Sequence, residues 1–344
     1  MGHEASISDA GAIAGPDGAS TDAPAADHAD LPPVGYIRNP KSHRNKGHED
    51  EAAQLPGVTM AAPRTRAELE EALADFAQRE IGLLAISGGD GTIRDVLTRG
   101  APFFAGNWPD IIVLPQGKTN ALAYDLGINN PWSLREALEA ARRGKVVHRH
   151  PLLAEQIDGE QRVRYGFILG AGVFDTAIEA GQLAHRYGAF QSFAIGVTAL
   201  FGMVQALFGF GSGPWRRASG IKITLADGKT ALQHSGLCPA EQRYFVSFTT
   251  LQRFPLGLSP FGDPVAGMPI RHFIVDAPLR RAVALLPAGA MGWESPLLAR
   301  LGMRRGADRA YRIELDGNFI LDGERYPPGK YKLMAGPELR FISP

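Results

Sequence analysis

Val34–Arg38 (VGYIR) is a short apolar run that gives way to the polar loop Asn39-Pro-Lys-Ser-His-Arg-Asn-Lys-Gly47. Val58–Ala61 reads as a second strand. From Thr65 to Arg79 the apolar residues Ala67, Leu69, Leu73 and Phe76 recur at helical spacing, with acids early and Arg79 late to match the helix dipole. Ile81–Ile86 (IGLLAI) and Ile111–Leu114 (IIVL) are continuous apolar runs, the pattern of strands covered on both faces. Each meets a glycine-bearing turn and then a helix: Ser87-Gly-Gly-Asp-Gly-Thr92 before Ile93–Thr98, and Pro115-Gln-Gly-Lys-Thr-Asn120 before Ala121–Leu126. Leu134–Arg143 is a further amphipathic helix. Strands alternating with helices predict an α/β fold, a doubly wound parallel sheet whose functional loops gather at the C-terminal strand ends. Asn39–Gly47, Ser87–Thr92 and Pro115–Asn120 fall there.

After Lys145 the texture changes. Val146–Leu153, Val163–Leu169, Ile221–Leu225, Tyr244–Thr249, His272–Val275, Ala310–Leu315 and Tyr331–Met334 are short, turn-bounded and often alternating, which predicts largely antiparallel strands. A helical insert, Asp175–Phe210, interrupts them. Between Arg186 and Arg216 lie 29 residues without Asp, Glu, Lys or Arg. Gln191, Ser192, Thr198 and Gln205 interrupt that stretch and Gly196, Gly202 and Gly209 weaken it, so a buried helix is expected rather than a membrane span. The division expected is 34–145 for an α/β domain and 146–344 for a β-rich one.

Composition narrows this further. The chain has 344 residues, with 36 Lys+Arg balancing 36 Asp+Glu, which argues against a dedicated nucleic-acid binder. One cysteine, Cys238, excludes an intramolecular disulfide framework and a cysteine-built zinc site. Residues 1–33 hold six acids and no Lys or Arg, with few large apolar groups, so an acidic disordered tail is expected there. No basic start followed by an apolar centre is present, which makes the cytoplasm the expected compartment.

Gly88-Gly-Asp-Gly-Thr92 carries the most chemistry. Glycines let a polyanion approach the backbone, and the following helix adds the positive end of its dipole. Asp90 inside such a loop does not suit an anion; it suits a metal or a hydroxyl to be deprotonated, and phosphoryl transfer needs a phosphate cradle and a carboxylate together. The structural alternative is a glycine turn with Asp90 as a helix cap. Gly117-Lys118-Thr119 imitates a Walker loop, but Ile112 stands where its first glycine belongs. Ser87 in Ala85-Ile-Ser-Gly-Gly89 imitates a nucleophile elbow that Asp263 and His272 would complete, yet that leaves Asp90 and the Pro115–Asn120 loop without a role.

Four features occur in one order: Asn39-Pro-x-Ser42, Gly88-Gly-Asp-Gly-Thr92, Pro115-x-Gly117-x-x-Asn120, and Asp322-Gly-Glu324. The set resembles the diacylglycerol kinase catalytic family, which includes sphingosine and ceramide kinases and bacterial soluble lipid kinases. The resemblance implies an N-terminal nucleotide domain, a C-terminal β-sandwich-like domain, and a cleft for ATP with Mg2+ and a lipid. It implies ATP contacts at Asn39, Ser42, Gly88, Gly89, Gly91, Thr92, Gly117 and Asn120. Asp90 is assigned as the base that deprotonates the lipid hydroxyl. Asp322 and Glu324 become the carboxylates facing metal and nucleotide, with Asp322 as the metal ligand and the roles open to exchange. Asp175, in Gly170-Ala-Gly-Val-Phe-Asp175, resembles a lipid-head contact; a helix cap is its alternative. The chain departs from the family pattern at His43, Lys118 and Ala121, where glycine, threonine and a carboxylate are common. The expected function is an ATP-dependent kinase for diacylglycerol or a sphingoid or ceramide lipid. A NAD kinase-like enzyme and an inactive lipid-binding relative are the alternatives.

A lipid substrate implies contact with a bilayer. Phe190–Phe210 suits an acyl pocket, while Trp215-Arg216-Arg217 and the arginines after Trp293 (Arg300, Arg304, Arg305, Arg309 and Arg312) suit a peripheral anionic membrane surface. The resemblance is also compatible with a homodimer.

Overall fold

A computed structural model describes residues 31–42, 55–104, 106–117, 120–159, 162–173, 217–277 and 279–344. Asp175, the insert 175–210, the His43–Lys46 segment, Lys118, Trp215 and Arg216 lie outside the described residues.

The first sheet has the order β2-β1-β3-β4-β18-β5. Its strands are β1 (Val34–Arg38), β2 (Val58–Ala61), β3 (Leu83–Gly88), β4 (Asp110–Pro115), β5 (Val146–Arg149) and β18 (Leu339–Ile342). β1 to β4 pair in parallel, β18 joins β4 in parallel, and β5 pairs antiparallel with β18. The apolar runs behave as their patterns imply. Leu84 and Ile86 enter one core with α1 (Arg66–Gln78) and α2 (Asp90–Phe104), whereas Leu83 and Ala85 enter another with α4 (Leu134–Arg142). Helices therefore cover both faces, and β3 has no solvent-facing side. Thr65 caps α1 through the Glu68 N–H, and Ser133 with Glu136 closes a capping box on α4.

The run Val146–Leu153, expected as one strand, is two. His150-Pro151 separates β5 from β6 (Leu152–Gln156), since proline has no N–H to donate to a ladder. β5 stays with the parallel sheet while β6 leaves it. Together with β18, this places two strands from beyond residue 145 in the first sheet.

The remaining strands form two antiparallel sheets, β10-β9-β14-β17-β6-β7 and β13-β12-β11-β8-β15-β16. The first holds β7 (Val163–Gly166), β9 (Ser219–Leu225), β10 (Gln242–Arg243), β14 (Ala310–Leu315) and β17 (Gly329–Ala335) beside β6. The second holds β8 (Ile168–Gly172), β11 (Phe245–Thr249), β12 (Ile270–Val275), β13 (Met303–Asp308), β15 (Phe319–Leu321) and β16 (Glu324–Tyr326). Ile223, Tyr311 and Leu333 from one share a core with Leu169, Phe248 and Phe319 from the other. Helices α5 (Arg280–Ala290) and α6 (Pro296–Arg300) pack Val283 and Leu298 beside Phe273 and Val275 of β12. Among the described residues, no helix is long and apolar enough to cross a membrane.

Candidate active site

In the first sheet β2 lies to one side of β1 and β3 to the other, so the strand order reverses between β1 and β3. The loops leaving the C-terminal ends of β1 and β3 open at that switch point, where open α/β sheets bind ligands. The loop after β4 joins them.

Neutral groups tie these loops together. The Asn39 N–H donates to Ser87 O at 3.0 Å and the Gln116 N–H to Gly88 O at 2.9 Å. Asn39 Nδ2 donates to Thr92 Oγ1 at 2.8 Å, and Ser42 Oγ to Gln116 O at 2.9 Å. Asn120 sits in the left-handed region at φ 48° and ψ 48°, a conformation asparagine tolerates. From there its Oδ1 accepts from the Gly117 N–H at 2.8 Å and its Nδ2 donates to Gly117 O at 2.9 Å. Gly89 and Gly117 face each other backbone to backbone; a Cβ on Gly117 would lie 2.5 Å from Gly89 Cα. Sequence analysis placed Asn39, Ser42, Gly88, Gly89, Gly91, Thr92, Gly117 and Asn120 at one site, and the structure brings them together. Asn39 and Asn120 spend their amides on shaping the loops.

α3 (Ala121–Asp125) starts directly after Asn120. Its N-terminus is closed from outside by Asp90, whose Oδ2 accepts from the Ala121 N–H at 3.0 Å and Oδ1 from the Leu122 N–H at 3.2 Å. Asp90 is thus a cap, but on a neighbouring helix rather than its own. Burial pushes its carboxyl above the usual range, against the pull of those N–H groups.

Asp322 and Gly323 form the turn between β15 and β16, with φ of 43° and 80°. Two successive positive φ values are what the tightest hairpin turns demand, and Asp-Gly supplies them. The carboxylate nevertheless points inward: Oδ2 accepts from the Phe167 N–H and Oδ1 from the Ile168 N–H, both at 2.9 Å. Gly166 makes room, since a Cβ there would lie 2.8 Å from Asp322 Oδ2. Burial, then the nearby charge of Asp90, push the Asp322 carboxyl up to about 7, opposed by the two N–H groups and Arg94.

Arg94, buried on α2, was not singled out from the sequence. Its Nη1 donates to the carbonyls of Leu321 at 3.2 Å and Asp322 at 3.1 Å, and its Nη2 reaches Glu324 Oε2 at 2.5 Å. Arg66 also binds Glu324. Burial alone would raise the Glu324 carboxyl; the two arginines hold it below its ordinary value. Glu324 thereby lies on the wall of a cavity of about 540 Å³ shared with Arg66, Arg99, Arg164 and Tyr326. The only sequence signal for Arg94 is its place four residues after Asp90, one helical turn along α2.

His272 belongs elsewhere. Its Nδ1 lies 2.7 Å from the Tyr311 hydroxyl in the antiparallel core, and burial pulls it down to about 4. It does not complete a Ser87 elbow.

Among the described residues, no group of three His, Cys, Asp or Glu side chains forms a metal cage. The pair Asp90 and Asp322 fits magnesium brought in by a nucleotide, which takes one or two carboxylates and fills its shell with phosphate oxygens and water.

Residues 33–150 match the diacylglycerol kinase catalytic domain. No curated protein sequence is significantly similar. Among solved structures, a diacylglycerol kinase from Bacillus anthracis str. Sterne is 15% identical, with a TM-score of 0.61 over 92% of this chain and 98% of that one. A second structure from the same bacterium is 16% identical with the same TM-score and coverage. At such identities the likeness is one of fold.

Proposed function

We propose that this chain, a member of the diacylglycerol kinase catalytic family through residues 33–150, is an ATP-dependent lipid kinase that phosphorylates a hydroxyl of diacylglycerol or of a sphingoid or ceramide lipid. The observation that carries this reading is the placing of two buried carboxylates, Asp90 and Asp322, each held by two backbone N–H groups, beside the converging glycine loops.

ATP is received by the loops. The start of α2 offers backbone N–H groups and the positive end of a helix dipole to the phosphates. The close approach of Gly89 and Gly117 leaves no side chain between the phosphates and the backbone. Magnesium, when bound with ATP, would neutralise phosphate charge, and Asp90, at the end of the β3 loop that meets the phosphates, is the residue we assign to hold it. Asp322 would accept the proton of the lipid hydroxyl, since a base works best with a pKa near the operating pH. The hydroxyl oxygen then bonds to the γ-phosphorus as the bond to the β-phosphate oxygen breaks, leaving ADP. These environments favour exchanging the roles assigned from the sequence, with the base at Asp322 and the cation at Asp90. Glu324 acts through Arg94, fixing the hairpin that carries Asp322.

The test is phosphate transfer from γ-labelled ATP to detergent-dispersed diacylglycerol, sphingosine and ceramide. Labelled lipid from one of them is expected. ATP binding with no transfer to any would leave an inactive relative as the better description.

A further inference from the structure

The segment Leu279–Arg305 differs in charge from the rest of this neutral chain: it holds five arginines and one acid, Glu294. Along α5 the residues exposed at helical spacing are Arg280, Ala284, Pro287 and, just past its end, Met291, with Arg281 beside the first. Apart from its arginines, that face offers solvent no polar group. It continues into a tight turn in which the Met291 N–H donates to Pro287 O at 3.0 Å and the Trp293 N–H to Ala288 O at 3.0 Å. Ser295 then caps α6. On α6, Leu297 and Arg300 are exposed three residues apart, hence on one side. Met291, Trp293 and Leu297 are 61%, 44% and 50% exposed, high for large apolar groups gathered within seven residues.

The arginines divide into two sets. Arg305 is a brace: it donates to the carbonyls of Gly289 and Gly292, pairs with Glu294 at 3.0 Å and lies over the Phe273 ring. That bond also occupies the only acid of the segment. Arg304 reaches Gln233 at 2.9 Å. Arg280, Arg281 and Arg300 are exposed and, among the described residues, form no ion pair. The turn is therefore held rigid by buried contacts while its apolar tips and unpaired cations face outward. Arg305, one of the arginines expected from the sequence to meet a membrane, instead holds this surface in place.

We propose that this face, formed by α5, the Met291–Trp293 turn and α6, docks the protein onto an anionic bilayer surface, with Met291, Trp293 and Leu297 entering the headgroup region and Arg280, Arg281 and Arg300 pairing with lipid phosphates. The partner follows from the chemistry: an apolar stripe bordered by cations, with tryptophan at its edge, matches the boundary between acyl chains and negative headgroups. The inference rests on the lipid kinase reading only in that a bilayer-held substrate gives docking a purpose.

The full chain is sedimented with phosphatidylcholine vesicles with and without phosphatidylglycerol, over a range of salt. Wild type should bind the anionic vesicles and be released by salt. Arg280→Glu/Arg281→Glu/Arg300→Glu should lose the preference for phosphatidylglycerol, roughly fivefold in partition coefficient for each arginine. Met291→Ser/Trp293→Ser/Leu297→Ser should bind weakly to both vesicle types. Both variants should melt like wild type and turn over detergent-dispersed lipid at the wild-type rate. No vesicle binding by wild type, or unchanged binding by both variants, overturns the proposal. Patch-dependent binding without lipid phosphorylation keeps the docking face and removes the kinase reading. Phosphorylation with unchanged vesicle binding does the reverse.

Discussion

The loops after β1, β3 and β4 and the hairpin β15–β16 converge on one site but are held by different forces. In the loops, Asn39 rests on Thr92, Ser42 on Gln116, Asn120 on Gly117, and glycine on glycine. None of those contacts involves a titratable group; the one carboxylate among the loops is Asp90, which caps α3. The hairpin is held by Arg94 and Arg66 on Glu324 and by two backbone N–H groups on Asp322. That region carries charge in a place that resists charge. The phosphate cradle depends on shape, and the hairpin supplies a group poised between two protonation states.

The sharpest way to break this contrast is Asp322→Asn. Loss of a general base lowers turnover about 10²–10⁴-fold, while ATP affinity, set by the loops, should stay within a few-fold; single-turnover and nucleotide-binding measurements separate the two. A pH signature accompanies it. A carboxyl raised to about 7 in the folded chain binds its proton more tightly there than in the unfolded chain. The stability it contributes is therefore present in acid and is lost as pH rises from about 4 to about 7. Activity runs the other way, appearing as Asp322 ionises above about 7. Melting temperature and kcat/KM against pH should slope in opposite senses, and both slopes should flatten in Asp322→Asn, with Asp90 leaving a residual stability slope of the same sign. Parallel slopes would move the base to another residue.

Two alanine substitutions in the loops come next. Gly117→Ala puts a Cβ 2.5 Å from Gly89 Cα and 2.7 Å from Asn120 Oδ1, against backbone that cannot turn aside. Overpacking of that kind costs about 1–3 kcal/mol, and the ATP KM should rise with it. Gly91→Ala meets nothing closer than 3.7 Å and should melt within about 0.5 kcal/mol of wild type. Equal losses at both positions would mean that flexibility, not close approach, is what these glycines provide.

A smaller effect on turnover is expected at the rim. Glu324→Gln weakens a half-exposed pairing with Arg66 and the part-buried one with Arg94, while Arg94 keeps its bonds to Asp95 and to the carbonyls of Leu321 and Asp322. A hydrogen bond to a charged group is worth about 1.5–3 kcal/mol and the remaining partners of Arg94 offset part of it, so calorimetry should find a loss of about 1–2 kcal/mol and turnover a change of a few-fold. A loss as deep as that of Asp322→Asn would put Glu324 in contact with the reacting groups.

Local signals carried the first sheet well. Val34–Arg38 and Val58–Ala61 are strands at the limits their apolar runs imply, and Leu134 begins a helix where Ser133 and Glu136 form the cap. The glycine motifs were legible because backbone approach has few substitutes. What stayed hidden was set by distant pairing. Leu339–Ile342 carries no sign that it pairs with β4, and Gly166 no sign that it clears space for Asp322. A hairpin turn and a buried carboxylate at Asp322-Gly323 are two separate features as far as sequence goes. They are one arrangement, because a turn with two positive φ values folds the aspartate back over β8. Arg94 looked like any helical arginine until the β15–β16 hairpin was placed against it.

The position of β18 has a consequence for how the chain comes to be. The strands that shape the nucleotide loops are made early, yet β4 takes its outer neighbour, and β5 its only partner in that sheet, from residues made after all the intervening chain. On the ribosome the first sheet must wait with β4 as an open edge, the kind of surface that invites pairing with other chains. Until β18 arrives the sheet lacks its closing member, so a chain stopped before Leu339 would carry every residue assigned here to the nucleotide and still be a substrate for chaperones and proteases.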